Sequence, residues 1–191
     1  MGLLPIAPPI WRKDMNVKLE EIYLVNYCHS SCIPLKNIMW LPREQAFALA
    51  GEMAKRNKDT TAFYRFADFD NYYRERLKTD EMLYTRFSDL GGRPAKKHPL
   101  SFVLQGSEYL DNWFDKGIVT RIPIEQIPAQ QISFTYGDSM AVLKKQGSFD
   151  MLTKEMLVQT MADYDGTLEE YIQEVNREYR YMEVQVWQEI N

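Results

Sequence analysis

The order of helix-like and strand-like segments is the feature that most constrains the fold of this chain. After one early strand pattern at about residues 19–27, helical spacing of apolar residues dominates as far as Phe87. Short β-branched or aromatic segments, separated by turns and proline, dominate the second half. The chain has no repeated strand–helix–strand unit and no internal repeat. These patterns predict a single α+β domain in which helices flank a mixed, largely antiparallel sheet.

Local signals set the expected boundaries of the helices and strands. Pro42 suits the first turn of a helix because it has no amide hydrogen to leave unpaired, so a helix is predicted over 43–56. A longer helix is predicted from Phe69 to Phe87, with Gly91 as its C-terminal cap. Shorter helices are predicted over 107–114, 152–161 and 167–176, and strands over 19–27, 100–104, 118–122, 131–136 and 181–187.

The last of these strands places a carboxylate among aromatic side chains. Because successive residues of a strand point to opposite faces, Met182, Val184 and Val186 share one face of the sheet. The other face receives Tyr181, Glu183, Gln185 and Trp187. One interpretation of Glu183 is a solvated residue on an exposed sheet face.

Length and composition favour one folded domain and exclude a general electrostatic attraction to nucleic acid. The chain has 191 residues, of which 45% are hydrophobic and 26% charged, which is typical of a globular protein. Its net charge of −4 provides no positive field for DNA or RNA phosphates, so bulk nucleic-acid binding is not expected. The proline-punctuated residues 1–14 are interpreted as an N-terminal arm, and residues 15–191 as the domain.

The expected location of the protein is the cytoplasm. Prolines interrupt the apolar residues of the arm, so it does not resemble a signal peptide. No apolar run reaches the roughly 18 residues that a membrane-spanning helix needs. Cys28 and Cys32 are interpreted as reduced thiols, which suits a reducing compartment.

Common metal and nucleotide motifs give no strong signal. Cys28, His29 and Cys32 offer zinc-type ligands, but a structural zinc site needs four and the only other histidine is His98. Adjacent residues of a strand point apart, so Cys28 and His29 suit one ion poorly and no metal site is predicted. The glycine-rich nucleotide loops, the G-x-S-x-G elbow and the H-E-x-x-H helix are absent.

Four segments between about residues 62 and 187 occur in an order that resembles a known enzyme family. They are FYRFADFDNY from Phe63, HPLSFVLQGS from His98, SFTYGDSM from Ser133 and YMEVQVW from Tyr181. In that order they resemble the Y-R-I-T-H-I-D-N-L, V-P-F-Y-F-x-x-R-S, F-T-D-G-N and A-E-x-L-V segments of the ADP-ribosyltransferase fold, in particular its DNA-modifying toxin branch. Asp68 stands where that branch has a histidine, and Gln105 and Gly106 stand where it has an arginine.

The resemblance implies an NAD-binding ADP-ribosyltransferase-like protein with NAD as substrate. Glu183 aligns with the catalytic glutamate, and Arg65 with Tyr64 lies in the NAD-binding opening segment. A second alignment uses YCHSS, from Tyr27 to Ser31, which resembles the H-x-T-S start of the histidine, tyrosine, glutamate type and gives that role to His29. His98 and Tyr136 are the other cofactor-binding candidates. A carboxylate at Glu183 has a chemical reason in either alignment, because cleavage of the nicotinamide bond develops positive charge on the ribose.

Two other functions are compatible with the sequence. The arm, with Ile10 and Trp11, and an aromatic content of four Trp, twelve Tyr and nine Phe suit a non-catalytic protein-interaction domain, because aromatic residues are common interface anchors. In that case the arm could hold a homo-oligomer together. A small-molecule-binding domain with a cleft in the strands between His98 and Tyr136 is the remaining alternative.

Overall fold

The computed structural model describes residues 19–190, which form an α+β domain around one sheet. The strands are β1 (Tyr23–Cys28), β2 (Leu100–Leu104), β3 (Ile118–Pro123), β4 (Ile132–Tyr136), β5 (Met151–Thr153) and β6 (Met182–Val186). Their order in the sheet is β3-β1-β2-β6-β4-β5. Every neighbouring pair is antiparallel. The predicted fold class is therefore confirmed.

Six α-helices flank this sheet within the described residues. They are α1 (Arg43–Arg56), α2 (Phe69–Asp89), α3 (Glu108–Trp113), α4 (Ser139–Gln146), α5 (Lys154–Asp163) and α6 (Leu168–Tyr179). A 3-10 helix over Thr61–Asp68 leads directly into α2. The Thr167 hydroxyl accepts a hydrogen bond from the Glu170 amide while the Glu170 carboxylate accepts one from the Thr167 amide, so α6 begins with a capping box.

The two faces of the sheet pack against different helices. On one face, Met182, Val184 and Val186 join a buried core with residues of α5 and α6, including Leu157 and Ile172. On the other face, Trp187 packs with Leu83 and Phe87 of α2. The predicted alternation along β6 is confirmed, and Glu183 belongs to the face that α2 covers.

Several boundaries differ from prediction, and three of the differences have a clear local cause. The first strand begins at Tyr23, because Leu19–Glu21 forms a 3-10 turn. Residues after Gly137, for which no helix was predicted, form α4, because Asp138 accepts a hydrogen bond from the Ala141 amide and so caps a new helix. The helix predicted over 152–161 is shortened at its start by β5, and Thr153 caps α5.

The connection between α3 and β3 depends on a close backbone approach at Gly117. A Cβ atom at this position would lie 2.4 Å from the Cys28 carbonyl oxygen and 2.9 Å from the Ser30 amide nitrogen. Both neighbours are backbone atoms that cannot rotate away, so only glycine fits here without a local shift. This contact holds the loop before β3 against the end of β1.

The described residues bear on only one of the two remaining predictions, which concern the N-terminal arm and membrane-spanning helices. The arm over residues 1–14 lies outside them, as does any homo-oligomer contact it could make. Within residues 19–190, no helix has the length and apolar character that a bilayer crossing requires.

Candidate functional site

The Glu183 carboxylate is buried at the centre of the sheet. It lies on β6 opposite Val103 of β2 on one side and Thr135 of β4 on the other. Only 6% of the residue is exposed. The interpretation of Glu183 as a solvated residue on an exposed face is therefore wrong, because α2 and α4 cover this part of the sheet.

Two hydrogen bonds hold the two carboxylate oxygens of Glu183. The Ser139 amide, at the first residue of α4, donates to Oε2 at 2.7 Å. The Ser101 hydroxyl of β2 donates to Oε1 at 3.3 Å. An amide at a helix N-terminus carries partial positive charge and is suited to a carboxylate. The N-terminal end of α4 and strand β2 thus fix the glutamate from two sides.

A chain of polar contacts continues from Ser101 to the surface. Arg76 Nη2 lies 3.5 Å from the Ser101 hydroxyl oxygen, to which it donates. Arg76 Nε lies 2.8 Å from Asp80 Oδ1, and His98 Nδ1 lies 2.7 Å from Asp80 Oδ2. The Asp80 side chain is fully buried, whereas 20% of the His98 side chain is exposed. One aspartate thus joins the histidine to the arginine that faces Glu183.

Opposing effects act on the protonation of Glu183. Burial raises the pKa of the carboxyl above its ordinary value, and the positive charge of Arg76 lowers it. The nearby Asp138 raises the pKa again, while hydrogen bonding by Ser139 lowers it. The net direction is upward, so Glu183 holds a proton more readily than an exposed glutamate. Burial alone would lower the pKa of Arg76, but the charges of Asp80 and Glu183 among others raise it.

Solvent reaches the site at Ser101. β1 pairs with all six positions of β3 but with β2 only at Leu24–Leu104 and Val25–Val103. Beyond that point the two strands are linked by a side chain instead: Asn26 Nδ2 donates a hydrogen bond to the Ser101 carbonyl oxygen at 2.9 Å. Ser101 itself is exposed although it lies in a central strand. The residue that contacts Glu183 Oε1 is therefore accessible from outside.

Arg65 reaches the same region from the 3-10 helix before α2. Its Nη2 lies 3.6 Å from Asp138 Oδ2, and its Nε donates to the Tyr64 hydroxyl at 3.0 Å. Asp138 is the residue before Ser139 and influences the pKa of Glu183. The structure therefore brings Arg65, and Tyr64 beside it, to the side of the sheet that carries Glu183.

The structure does not bring His29 to Glu183. His29 follows the end of β1, where Nε2 lies 3.5 Å from Asp115 Oδ2 and Nδ1 accepts from the Ser31 amide. Val25 is level with Glu183 across β2, and His29 lies four positions further along. With strands about 4.8 Å apart and a rise of about 3.3 Å per residue, the separation is on the order of 15 Å.

Tyr136 lies on the opposite face of the sheet from Glu183. It pairs with Met182, and its hydroxyl lies 3.2 Å from that of Tyr171 in α6. Its ring packs against Tyr179 and the core beneath α6. Because β4 and β6 are level here, Tyr136 points away from the carboxylate and serves packing on the other side.

Sequence reasoning missed Arg76, Asp80, Ser101 and Ser139. A signal existed in α2, because Asp80 precedes Leu83 by three residues and Phe87 by seven, and so shares their buried stripe. A charged residue at a core position of a helix is unusual and commonly indicates a paired partner. No comparable local signal marks Ser101 or Ser139, since both meet Glu183 only through the tertiary fold.

The cysteines form no cross-link, and the described chain shows no metal centre. Cys28 and Cys32 are free thiols. Burial raises the pKa of both thiols, and Cys28 further raises that of Cys32. Between residues 19 and 190, no group of three or more histidine, cysteine, aspartate or glutamate side chains is placed to hold an ion.

Comparison with protein-family models, with curated proteins and with solved structures found no match.

Proposed function

We propose that the chain is an NAD-consuming enzyme of the ADP-ribosyltransferase type, with Glu183 as its catalytic carboxylate. The observation that carries this proposal is the setting of Glu183. The carboxylate is buried on a central strand, and Ser101, whose hydroxyl contacts it, is an exposed residue. A substrate hydroxyl that takes the place of the Ser101 contact would reach a carboxylate already fixed by Ser139.

The chemistry suits a carboxylate held in this way. In the reaction, the bond between ribose C1′ and the nicotinamide nitrogen breaks, and its electron pair leaves with nicotinamide. Positive charge develops on the ribose, and Glu183 stabilises it while accepting a hydrogen bond from the neighbouring ribose hydroxyl. The nucleophilic atom of the acceptor then bonds to C1′ and loses its proton to solvent. Water as acceptor gives hydrolysis, and a macromolecular acceptor gives ADP-ribosylation.

The surrounding charges have distinct roles in this proposal. Arg76 opposes the effect of burial on the pKa of Glu183 and so favours the ionised form that the reaction needs. Arg65, with 35% of its side chain exposed, is the cation placed to contact the diphosphate. Asp80 fixes Arg76, and His98 fixes Asp80 from the solvent side. His29 and Tyr136 have no part in this version of the site.

Thermal unfolding with and without millimolar NAD is the first test. A ligand that binds only the native state at a hundredfold excess over its dissociation constant stabilises it by about 2.7 kcal/mol. We expect a clear upward shift in Tm, followed by measurable nicotinamide release. Glu183→Gln should abolish that release, and Glu81→Gln, which changes an exposed glutamate of α2, should preserve it.

Two results would contradict the proposal. An unchanged Tm at millimolar NAD, together with no nicotinamide release, would remove NAD as the substrate. Nicotinamide release that survives in Glu183→Gln would show that another group carries the reaction. Near-ultraviolet circular dichroism of each variant verifies that its tertiary structure is retained.

A non-catalytic binding domain is the second candidate function. An open polar cleft of about 260 Å³ lies beside His29, between the end of α1 and Asp115. Small-molecule sites are usually about 300 to 1,000 Å³ and mostly apolar, so this cleft favours at most a small polar ligand. The exposed rings of Tyr64 and Tyr109 give the binding interpretation a more specific basis.

A further inference from the structure

Ser101 is an exposed residue that lies directly against the buried carboxylate of the proposed site. Its hydroxyl donates to Glu183 Oε1 at 3.3 Å, and Arg76 Nη2 lies 3.5 Å from the same hydroxyl oxygen. The strand neighbours Leu100 and Phe102 are only 3% and 1% exposed. This hydroxyl differs from that of an ordinary surface serine, because a carboxylate accepts its hydrogen while a guanidinium stabilises negative charge on its oxygen.

The other hydroxyl side chains around Glu183 are buried. Thr135 lies opposite Glu183 in the pairing of β4 with β6 and is 1% exposed. Ser139, whose amide donates to the carboxylate, is fully buried. Of these three residues, only Ser101 is open to an incoming molecule.

The backbone of Ser101 is held from two sides. In the sheet, Ser101 pairs with Gln185 of β6. On the side where β1 no longer pairs with β2, Asn26 Nδ2 donates to the Ser101 carbonyl oxygen at 2.9 Å. A reacting group that is already fixed in position loses less entropy in the reaction than a freely moving one. Ser101 is therefore positioned as well as exposed.

The proposed NAD reaction brings an electrophilic carbon next to this hydroxyl. In that reaction a ribose hydroxyl replaces Ser101 as the group that donates to Glu183. The carbon that bears this ribose hydroxyl is bonded to C1′, which becomes electron-poor as nicotinamide leaves. The Ser101 oxygen that gives up its contact thus remains beside the carbon that reacts.

We propose that Ser101 is itself an acceptor of ADP-ribose, so that the chain modifies its own site. The proposal rests on the NAD reaction proposed above. The bond from C1′ to the nicotinamide nitrogen breaks, and its electron pair leaves with nicotinamide. A lone pair of Ser101 Oγ forms the new bond to C1′, and the hydroxyl proton passes to solvent. Arg76 favours loss of that proton, because its charge stabilises the oxygen as the proton leaves.

This modification ends the activity of the molecule that carries it. An ADP-ribosyl group on Oγ removes the hydrogen that Ser101 donates to Glu183. The attached group also occupies the place that the ribose of the next NAD molecule needs. Hydrolysis of NAD and modification of Ser101 therefore compete, and each chain stops when the second reaction has occurred.

Mass spectrometry of the intact full-length chain after incubation with NAD tests the proposal. We expect one ADP-ribose per chain, located at Ser101 by peptide mapping. Nicotinamide release should slow as the modified fraction rises. Neutral hydroxylamine identifies the linkage, because it cleaves an ester formed on Asp138 or Glu183 and leaves a glycosidic bond on a serine oxygen intact.

Three variants separate the acceptor role of Ser101 from a general effect on activity. The quantity compared is the amount of modified chain per nicotinamide released, which a uniform loss of activity does not change. Ser101→Ala should lower this ratio to background, whereas Ser101→Thr, which keeps a hydroxyl on the same strand, should retain it. Ser88→Ala, which removes an exposed serine of α2, should match the wild type.

The outcomes distinguish this proposal from the NAD reaction on which it rests. Nicotinamide release without modification, or with ADP-ribose mapped to another residue, overturns the role of Ser101 and leaves the NAD reaction standing. An unchanged ratio in Ser101→Ala also overturns it. Modification of Glu183→Gln to the wild-type extent would show that ADP-ribose attaches without the site. Absence of nicotinamide release from the wild type overturns both proposals.

Discussion

Asp80 lies one turn after Arg76 on α2, and its Oδ1 is 2.8 Å from the Arg76 Nε in a buried contact. The same helix carries a second aspartate–arginine pair with the same spacing, Asp70 and Arg74, whose Oδ2 and Nη2 are 3.2 Å apart. The side chains of the first pair are 10% and 0% exposed, whereas those of the second are 69% and 52% exposed. The two pairs share their i,i+4 spacing and differ in burial, in the order of the two residues along the helix and in the further partner of the aspartate, which is His98 for Asp80 and Arg43 for Asp70.

Asp80→Asn should destabilise the protein strongly, and Asp70→Asn should not. Removing one partner of a buried pair leaves an uncompensated charge and costs about 3–5 kcal/mol, whereas an exposed pair contributes about 0–1 kcal/mol. Urea unfolding of both variants measures the difference in free energy of unfolding. Similar losses in the two variants would show that Arg76 is as well solvated as Arg74.

Glu183→Gln should change the pH dependence of stability in a defined direction. Burial raises the pKa of Glu183 above its ordinary value of 4.5. Well below its ordinary pKa the carboxyl is protonated in both the folded and the unfolded state. As the pH rises further, the unfolded chain ionises first, so the wild type loses stability relative to the variant until the pH passes the folded pKa.

Urea unfolding of wild type and Glu183→Gln between pH 4 and 8 measures this effect. The free energy of unfolding of the wild type should fall relative to that of Glu183→Gln as the pH rises above 4.5. The difference between the two proteins should become constant once the pH exceeds the folded-state pKa. Contributions from groups that both proteins contain cancel in this difference. A difference that is constant with pH would contradict the raised pKa.

Two glycine-to-alanine changes should act in opposite directions. Gly117→Ala places a Cβ against the Cys28 carbonyl oxygen and should cost about 2 kcal/mol or more. At Gly51, inside α1, a Cβ meets nothing within 4 Å, so Gly51→Ala should stabilise the protein by about 0.5–1 kcal/mol. Thermal unfolding measures both changes. A neutral Gly117→Ala would mean that the loop before β3 shifts freely.

Much of the fold follows from local pattern. The bounds of α1 and β2 agree with prediction, and the alternation along β6 correctly placed Met182, Val184 and Val186 together on one face of the sheet, which proves to be the core face. These elements were predictable because the spacing of their apolar residues matches the faces that are buried in the fold. The start of α4 was not, because Gly137 and Asp138 are equally typical of an isolated turn and of a helix cap.

The candidate site was predictable only at one residue. Glu183 could be placed on a face with aromatic residues, but its burial depends on α2 and α4, which are distant in sequence; Ser139 of α4 lies 44 positions before it. Asp80 had a local signal in its spacing from Leu83 and Phe87. Ser101 and Ser139 had none, because their contacts with Glu183 arise from the order of strands, which local sequence does not encode.

The position of β6 between β2 and β4 has a consequence for biosynthesis. β2 and β4 are translated long before Met182–Val186, yet each has β6 as a neighbour in the finished sheet. During synthesis, one edge of β2 and one edge of β4 therefore lack their final neighbour until β6 has left the ribosome. The same strand carries Glu183, so the carboxylate enters its site only in the step that closes the sheet.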